Sequence, residues 1–505
     1  MAKSIPLFDV VVIGGGINGA GIARDAAGRG LKVLLLEKHD LASATSSAST
    51  KLIHGGLRYL EHKEFALVRA SLKEREVLLK MAPHIIWPMR FVLPHVKAMR
   101  PYWLIRLGLL IYDYLGGRLS LPRSKSFHLR RHVFGKPLED HFKKAISYFD
   151  CWVEDARLVV LNALDCKERG GVVLTRTTCT ELKVVEKHWQ VSFKTEGERT
   201  AHSVKAKMVI NASGPWVDEV LNLAKPSAKD FNVKLVKGSH IIIPKLFEGS
   251  AAYILQNDDK RVIFAIPYER QFTLIGTTDQ AYEGLPDGVR AEMNEVEYLC
   301  RAVNQYFKTK IKPDDVLWTY SGVRPLLDDG QDNLSTITRD YVLNEMVIEG
   351  VPLLNVYGGK LTTYRKLSEQ AVDFITARLR PEMFERYWTH YTPLPGGDIQ
   401  ALDFESFFKN MKRVYSWMPE KILYRYARAY GSRLRVLLKG CRKIEDLGEY
   451  LGDDLYSLEI EYLLQIEMAM TAEDIIWRRS KLGLHISDET LANLERYLDD
   501  YYQRA

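Results

Sequence analysis

Apolar positions change their period several times along the 505-residue chain, and the changes mark out its elements. Asp9 is followed by Val10, Val11, Val12 and Ile13, a β-branched run too short to span a membrane, which predicts a strand buried on both faces. Ala20, Ala23, Ala26 and Ala27 then predict a helix reaching the Gly28/Gly30 turn, and Leu31 to Leu36 a second strand ending at Glu37. Phe65 to Met81 sets Leu67, Leu72, Val77 and Leu78 among charged neighbours, a helix that Pro83 ends. A further helix is expected from about Asp155, then a Gly170-Gly171 turn and strand, then an antiparallel ribbon through Trp189 to Phe193. Met208 to Ile210 predicts a late parallel strand, with a turn ending at Gly214 and a helix from about Trp216. VKLVKGSHIIIP, AAYILQ, RVIFAIPY and FTLIGTTD predict an antiparallel or mixed sheet, with Lys237 and His240 beside a Gly238-Ser239 turn. PLPGG, 393–397, reads as a linker, and the pattern from Phe404 onward is helical, with Thr471 at a helix start.

A chain this long exceeds one hydrophobic core. The return of strands after each excursion makes the first unit discontinuous. It is expected over 1–75, 150–230 and 350–385, with a substrate domain over 76–149 and 231–349 and a helical domain over 393–505.

Composition narrows the classes. The five cysteines are scattered without close pairs, which argues against a metal site or a disulfide framework and for a reducing compartment. A net charge of +7 suits nucleic acid, an anionic substrate or an anionic membrane, but no lysine/arginine block or recognition module supports nucleic acid. Only Met1 to Leu7 precede the first strand, so no signal or import sequence is expected, and a bacterial cytoplasm is the expected compartment. Between Arg100 and Arg118 aromatic and leucine side chains are bracketed by Lys97, Arg100, Arg106 and Arg118. That pattern suits a segment lying in a lipid headgroup layer, or else a core helix with a satisfied Arg106.

The candidate chemistry starts with Gly14, Gly16 and Gly19. Their spacing gives a tight turn, close backbone approach to a pyrophosphate and close helix packing at a helix N-terminus, while Glu37 can accept from ribose hydroxyls. Ser43, Thr45, Ser46, Ser47 and Ser49 crowd the loop that follows, offering hydroxyls near a cofactor. His54, Gly55, Gly56, Arg58 and Tyr59 combine a potential base with an anion clamp. Arg58, Arg324, Arg339 and Lys360 are candidates to surround a small anion, Lys360 following Gly358-Gly359 at a helix start. His54 and His240 are both candidate bases, and the residues alone do not rank them.

The motifs GGGINGAGIARDAAGRG, ATSSASTKLIHGGLRYLEH, INASGPWV, KGSHIIIP, WTYSGVRPL, TITRDY and YGGKLTTYRKL together give a resemblance covering nearly the whole chain. It resembles the quinone-linked, FAD-dependent glycerol-3-phosphate dehydrogenases of the glycine/D-amino-acid oxidase-like flavoprotein class. The resemblance implies an α/β, Rossmann-like FAD-binding domain, a mixed or antiparallel substrate domain and a C-terminal helical domain. The implied reaction oxidises sn-glycerol 3-phosphate to dihydroxyacetone phosphate through FAD, with electrons passing to membrane quinone. A peripheral homodimer on the anionic phospholipid of the cytoplasmic face of a bacterial inner membrane is implied, with no metal and no nucleic acid.

For the site, the resemblance implies a cofactor set of Gly14, Gly16, Ile17, Asn18, Gly19, Glu37, Thr45, Ser46, Ser49, Gly214, Gly359, Lys360, Leu361 and Thr362. The substrate side is implied to be Arg58, Tyr59, His240, Arg324, Arg339 and Lys360, with Arg324 and Lys360 also stabilising developing alkoxide or reduced-flavin charge. Together with His54, a candidate base from its own chemistry, the catalytic candidates are His54, His240, Arg324 and Lys360. A soluble oxidase passing electrons to oxygen is the nearest alternative. A tRNA-modifying flavoprotein or a nucleotide-binding regulator leaves the arginine/lysine set without a role.

Overall fold

The computed structural model describes residues 5–60, 64–96, 99–117, 120–225, 233–259, 261–327, 340–382, 387–399 and 403–504, the side chains of Arg58 and Leu327 excepted. β1 (Leu7–Ile13), α1 (Ile17–Gly28) and β2 (Val33–Leu36) open the chain as the apolar pattern requires. A first excursion contains β3 (Leu52–Ile53), α2 (Phe65–Met81), β4 (Ile86–Pro94), α3 (Tyr102–Leu115), β5 (Lys125–His128) and β6 (Lys144–Val153). The chain returns through α4 (Asp155–Glu168), β7 (Val172–Leu174), the ribbon β8 (Thr177–Val185) and β9 (His188–Thr195), β10 (His202–Asn211) and α5 (Val217–Ala224). A second excursion holds β11 (Val233–Pro244), β12 (Ala252–Gln256), β13 (Val262–Tyr268), β14 (Phe272–Gly276), β15 (Gln280–Ala281), α6 (Met293–Asn304) and β16 (Trp318–Leu327). β17 (Tyr341–Ile348), β18 (Val351–Gly358) and α7 (Tyr364–Leu379) complete the first unit.

These strands form two sheets. One has the order β17-β18-β10-β1-β2-β7, parallel except for β17, with β9 and β8 continuing from β10. Its central run is apolar at every position because both faces are covered: Val10 and Val12 pack with α1, α4 and α7, and Val11 and Ile13 with the ribbon and α5. The other sheet has the order β15-β11-β14-β13-β12-β4-β6-β3, with β16 on β11 and β5 on β6, antiparallel except where β12 meets β4. The expected discontinuous α/β unit and mixed second sheet are both present.

Three expectations change. The boundary set at 349 gives way, because Tyr341–Ile348 joins the first sheet as a hairpin with β18. Glu349 and Gly350 take positive φ, as a two-residue hairpin turn requires. Leu52–Ile53, expected in the first unit, pairs with β6 in the second sheet. Gly238-Ser239 is not a turn but the interior of β11, paired with Gly322 and Ser321 of β16. Glycine stands there for close approach, since a Cβ would lie 2.7 Å from Thr277 Oγ1 and 2.9 Å from Arg324 Nη2.

The C-terminal unit contains α8 (Trp388–Tyr391), α9 (Phe404–Val414), α10 (Glu420–Tyr430), α11 (Leu434–Leu437), a hairpin of β19 (Tyr450–Gly452) and β20 (Leu455–Tyr456), α12 (Ser457–Gln465) and α13 (Asp488–Arg504). Thr471 caps as expected, its hydroxyl accepting from Asp474 N–H at 3.3 Å. The PLPGG stretch, expected as a linker, is a packed joint: Leu394 is buried and its N–H donates to Met81 C=O at 3.0 Å. Buried ion pairs fix this unit to the first, Asp40 to both Arg478 and Arg479, and Arg157 to Glu467. Removing one member of such a pair costs about 3–5 kcal/mol, because the other is left charged and dry.

Candidate active site

A cavity of about 450 Å³ reaches from the C-terminal end of β1 to β11 and β16. At its first end the chain turns at Gly14, whose φ is +110° and whose added Cβ would lie 2.5 Å from Ala212 C=O. Gly19 faces this turn from α1, and a Cβ there would stand 1.9 Å from Gly14 C=O, which is the close helix packing expected of the third glycine. Gly14, Gly16, Ile17, Asn18 and Glu37 line the cavity, while Gly19 supports it from behind. Glu37 accepts from Gly15 N–H at 2.6 Å and from His39 N–H at 2.8 Å, and burial pushes its carboxyl above the usual range.

The serine-rich loop is stitched more firmly than its composition suggests. Ser46 Oγ accepts from Ile17 N–H at 3.0 Å, so it caps α1, and Thr45 Oγ1 donates to Val323 C=O at 2.6 Å. Ser49 lines the cavity, but its hydroxyl donates to Asp155 at 2.8 Å. Asp155 also holds Lys51 at 2.8 Å, a buried pair that no local pattern announced.

At the second end the structure brings His54, Tyr59, His240, Arg324 and Lys360 to the same cavity, with Gly214, Gly359, Leu361 and Thr362 on its walls. The Arg58 side chain and Arg339 lie outside the described residues. His240 and Gly238 alternate along β11, Gly322 and Arg324 along β16, so a period of two places all four on the cavity side. The buried His240 ring stacks on Tyr320 at 4.7 Å, and its Nε2 lies 3.0 Å from Thr50 Oγ1. Burial, reinforced by the charges of Lys51 and Arg324, holds its imidazolium well below the usual range. Arg324 is paired with Asp279. Lys360 Nζ stands 3.8 Å over the Tyr59 ring, after Gly358 and Gly359, both at positive φ. Lys237 is absent from this group, its ammonium being engaged by Glu292 and Glu295 at 2.7 and 2.9 Å.

Sequence reasoning missed Thr50 and Tyr320, which orient His240, and Lys38, His39 and Trp216 at the first end. Tyr320 sits two residues before Gly322 and four before Arg324, a strand-period signal that was available.

The cavity fits a flavin dinucleotide. Its first end has the missing side chains a pyrophosphate needs, an acid at the ribose position and a buried Asn18 Oδ1 without a partner among the described residues. Its second end has two imidazoles and two cations where a ring and an anionic substrate would meet.

A family model for FAD dependent oxidoreductases matches residues 9–365, and one for the C-terminal domain of alpha-glycerophosphate oxidase matches residues 387–500. A D-erythritol 1-phosphate dehydrogenase of Brucella abortus is 50% identical over 97% of this chain and 98% of its own. A glycerol-3-phosphate dehydrogenase of Pseudomonas aeruginosa is 49% identical over 97% of this chain and 95% of its own. Among solved structures, a glycerol-3-phosphate dehydrogenase from Bacillus halodurans, complexed with FAD, covers 100% of this chain and 92% of its own at 27% identity, with a TM-score of 0.79.

Proposed function

The chain belongs to the FAD-dependent glycerol-3-phosphate dehydrogenase family, and we propose that it oxidises sn-glycerol 3-phosphate to dihydroxyacetone phosphate, reducing FAD and passing the electrons to a membrane quinone. The observation that carries this reading is the convergence of His54, His240, Arg324 and Lys360 at one end of a cavity whose other end is a dinucleotide turn. When bound, FAD supplies the hydride acceptor.

Arg324 and Lys360 meet the substrate phosphate, with Asp279 keeping the guanidinium oriented. Arg58, Tyr59 and Arg339 complete the expected substrate set. Oxidising the neighbouring alcohol requires its hydroxyl proton to leave, and an imidazole accepts a proton only when neutral. His240 lines the cavity with its ring fixed by Thr50 and Tyr320, so on position we assign it as the base and His54 to the substrate wall.

One finding favours a second substrate. The relative at 50% identity carries the name D-erythritol 1-phosphate dehydrogenase. That polyol phosphate shares the terminal phosphate and adjacent secondary alcohol and is longer by one carbon, so the same anion clamp and base would serve it.

Support for a lipid surface comes from α3. Trp103, Leu107, Leu110, Ile111 and Tyr114 are exposed, Trp103 by 67%, while Leu109 and Tyr112 are buried. No helix among the described residues is long and apolar enough to cross a membrane. An apolar helix face flanked by basic residues suits seating in anionic headgroups. We place the protein on the cytoplasmic face of the bacterial membrane, as a homodimer.

Anaerobic mixing with each polyol phosphate, followed by quinone or oxygen, tests the whole reading. Bleaching of the flavin by sn-glycerol 3-phosphate and faster reoxidation by quinone are expected. Bleaching by D-erythritol 1-phosphate alone would transfer the substrate, and faster reoxidation by oxygen would make the protein an oxidase.

A further inference from the structure

A line of buried side chains reaches the second end of the cavity from behind, and it begins on α3. The Tyr112 hydroxyl accepts from Gly55 N–H at 2.9 Å and donates to the Asp150 carboxylate, whose oxygens are 2.9 and 2.8 Å away. Asp150, on β6, is gripped by Arg75 Nη1 of α2 at 2.6 Å. Arg75, Tyr112 and Asp150 are each 1% exposed, so the line runs through buried interior, where hydrogen bonds are strengthened by the low dielectric. Burial and the Asp150 charge push the phenol well above its usual range, so it keeps the proton it donates.

The other side of the same backbone is held too. Thr362 Oγ1 accepts from His54 N–H at 3.2 Å and donates to His54 C=O at 3.3 Å. Between the two clamps a side chain is excluded, since a Cβ on Gly55 would lie 2.7 Å from the Tyr112 oxygen and 2.6 Å from Leu72 Cδ2. The segment that carries His54 and Tyr59 into the cavity is therefore pinned at Gly55 by a residue fifty-seven positions away in the chain.

We propose that Tyr112 is a positioning residue for the reaction: its hydroxyl, fixed by Asp150 and Arg75, holds the Gly55 amide and so sets where His54 and Tyr59 stand in the cavity. The role rests on the substrate reading above. Tyr112 touches neither cavity nor substrate, and it acts through the Gly55 backbone. The same helix turns Trp103, Leu107 and Leu110 outward, so the relay joins the surface face of α3 to the reacting end.

The test compares Tyr112→Phe with Leu109→Ala in the FAD-loaded enzyme. The first removes one hydroxyl and keeps the ring, whereas the second removes packing from the same buried helix face without touching Gly55. In Tyr112→Phe, amide exchange in the peptide containing Gly55 should quicken at least about 10-fold. The anaerobic flavin-reduction rate at saturating sn-glycerol 3-phosphate should fall about 10- to 100-fold, the scale of a small misplacement. Leu109→Ala should lower the melting temperature and leave that rate within twofold. Unchanged exchange at Gly55 overturns the proposal, as does faster exchange with a wild-type reduction rate. An equal loss of rate in Leu109→Ala would assign the effect to general loosening and likewise overturn it. If neither polyol phosphate bleaches the wild-type flavin, the substrate reading falls, and exchange at Gly55 decides the hydrogen bond by itself.

Discussion

At its first end the cavity is shaped by atoms that are missing, and at its second by charges that are present. Gly14, Gly16 and Gly19 act through excluded volume within one βαβ unit, and Glu37 closes that unit with backbone N–H groups on its carboxylate. His54, His240, Arg324 and Lys360 arrive instead from four separate segments, and each depends on remote neighbours such as Thr362, Thr50, Asp279 and Tyr59. The difference separates two properties. Changes at the first end should alter how firmly FAD is kept, with the reaction per bound FAD intact, and changes at the second should alter the reaction with FAD retained.

The largest effect is expected at His240. His240→Asn should lower the anaerobic flavin-reduction rate by about 10²- to 10⁴-fold, the usual contribution of a positioned base, with normal FAD content. Its pH dependence sharpens the assignment against His54. Burial chiefly, then Lys51 and Arg324, depress the folded imidazole, so it stays neutral as pH falls through the usual value of about 6.5 and gains a proton only well below it. The reduction rate at saturating substrate should persist through that region and decline only at lower pH. A decline centred near the ordinary imidazole value, together with a near-normal His240→Asn, would move the role to His54.

At the glycine turn the effect should be smaller and of the other kind. Gly19→Ala sets a Cβ 1.9 Å from Gly14 C=O, so α1 must withdraw from the turn. Overpacking of this sort costs about 1–3 kcal/mol, and if it falls on the FAD-bound form, affinity for FAD drops about 10- to 100-fold. Titrating apo-protein with FAD measures this. A wild-type affinity with a slowed reduction rate would break the division between the ends.

The same division explains what could be read beforehand. The βαβ unit, α2 with its end at Pro83, and the four strands from β11 to β14 were legible because each announces itself within a few residues by period, glycine or proline. Gly238-Ser239 misled for the same reason: glycine beside serine is turn chemistry locally, whereas its cause is the approach of Arg324 from β16 and of Thr277 from the loop after β14. PLPGG misled likewise, being held by Met81 and by the close approach of Tyr430 C=O. The buried pairs Lys51–Asp155 and Asp40–Arg479 were invisible, because partners distant in sequence are defined only by the fold. The substrate residues were candidates one by one from their chemistry, but only resemblance to a family joined them into one set, since no local rule joins His54 to Arg324.

One contact tests whether the first end is made by backbone alone. Asp287, in the loop after β15, reaches across from the second excursion to accept from Lys38 Nζ at 2.8 Å and from Trp216 Nε1 at 2.9 Å. Lys38 and Trp216 line the cavity beside the glycine turn, and the lysine also stands 3.9 Å over the indole. Asp287 is about half exposed, so solvent screens the pair and the interaction is of the surface class, about 0.2–1 kcal/mol. Asp287→Ala should therefore speed FAD release by no more than about two- to fivefold, followed as flavin fluorescence after dilution. High salt should reproduce much of that change in the wild type, because exposed ion pairs weaken as ionic strength rises. The reduction rate of the FAD-loaded variant should be unchanged. A slower reduction with normal FAD release would mean that this loop reaches the reacting end, and the two ends of the cavity would then answer to one another.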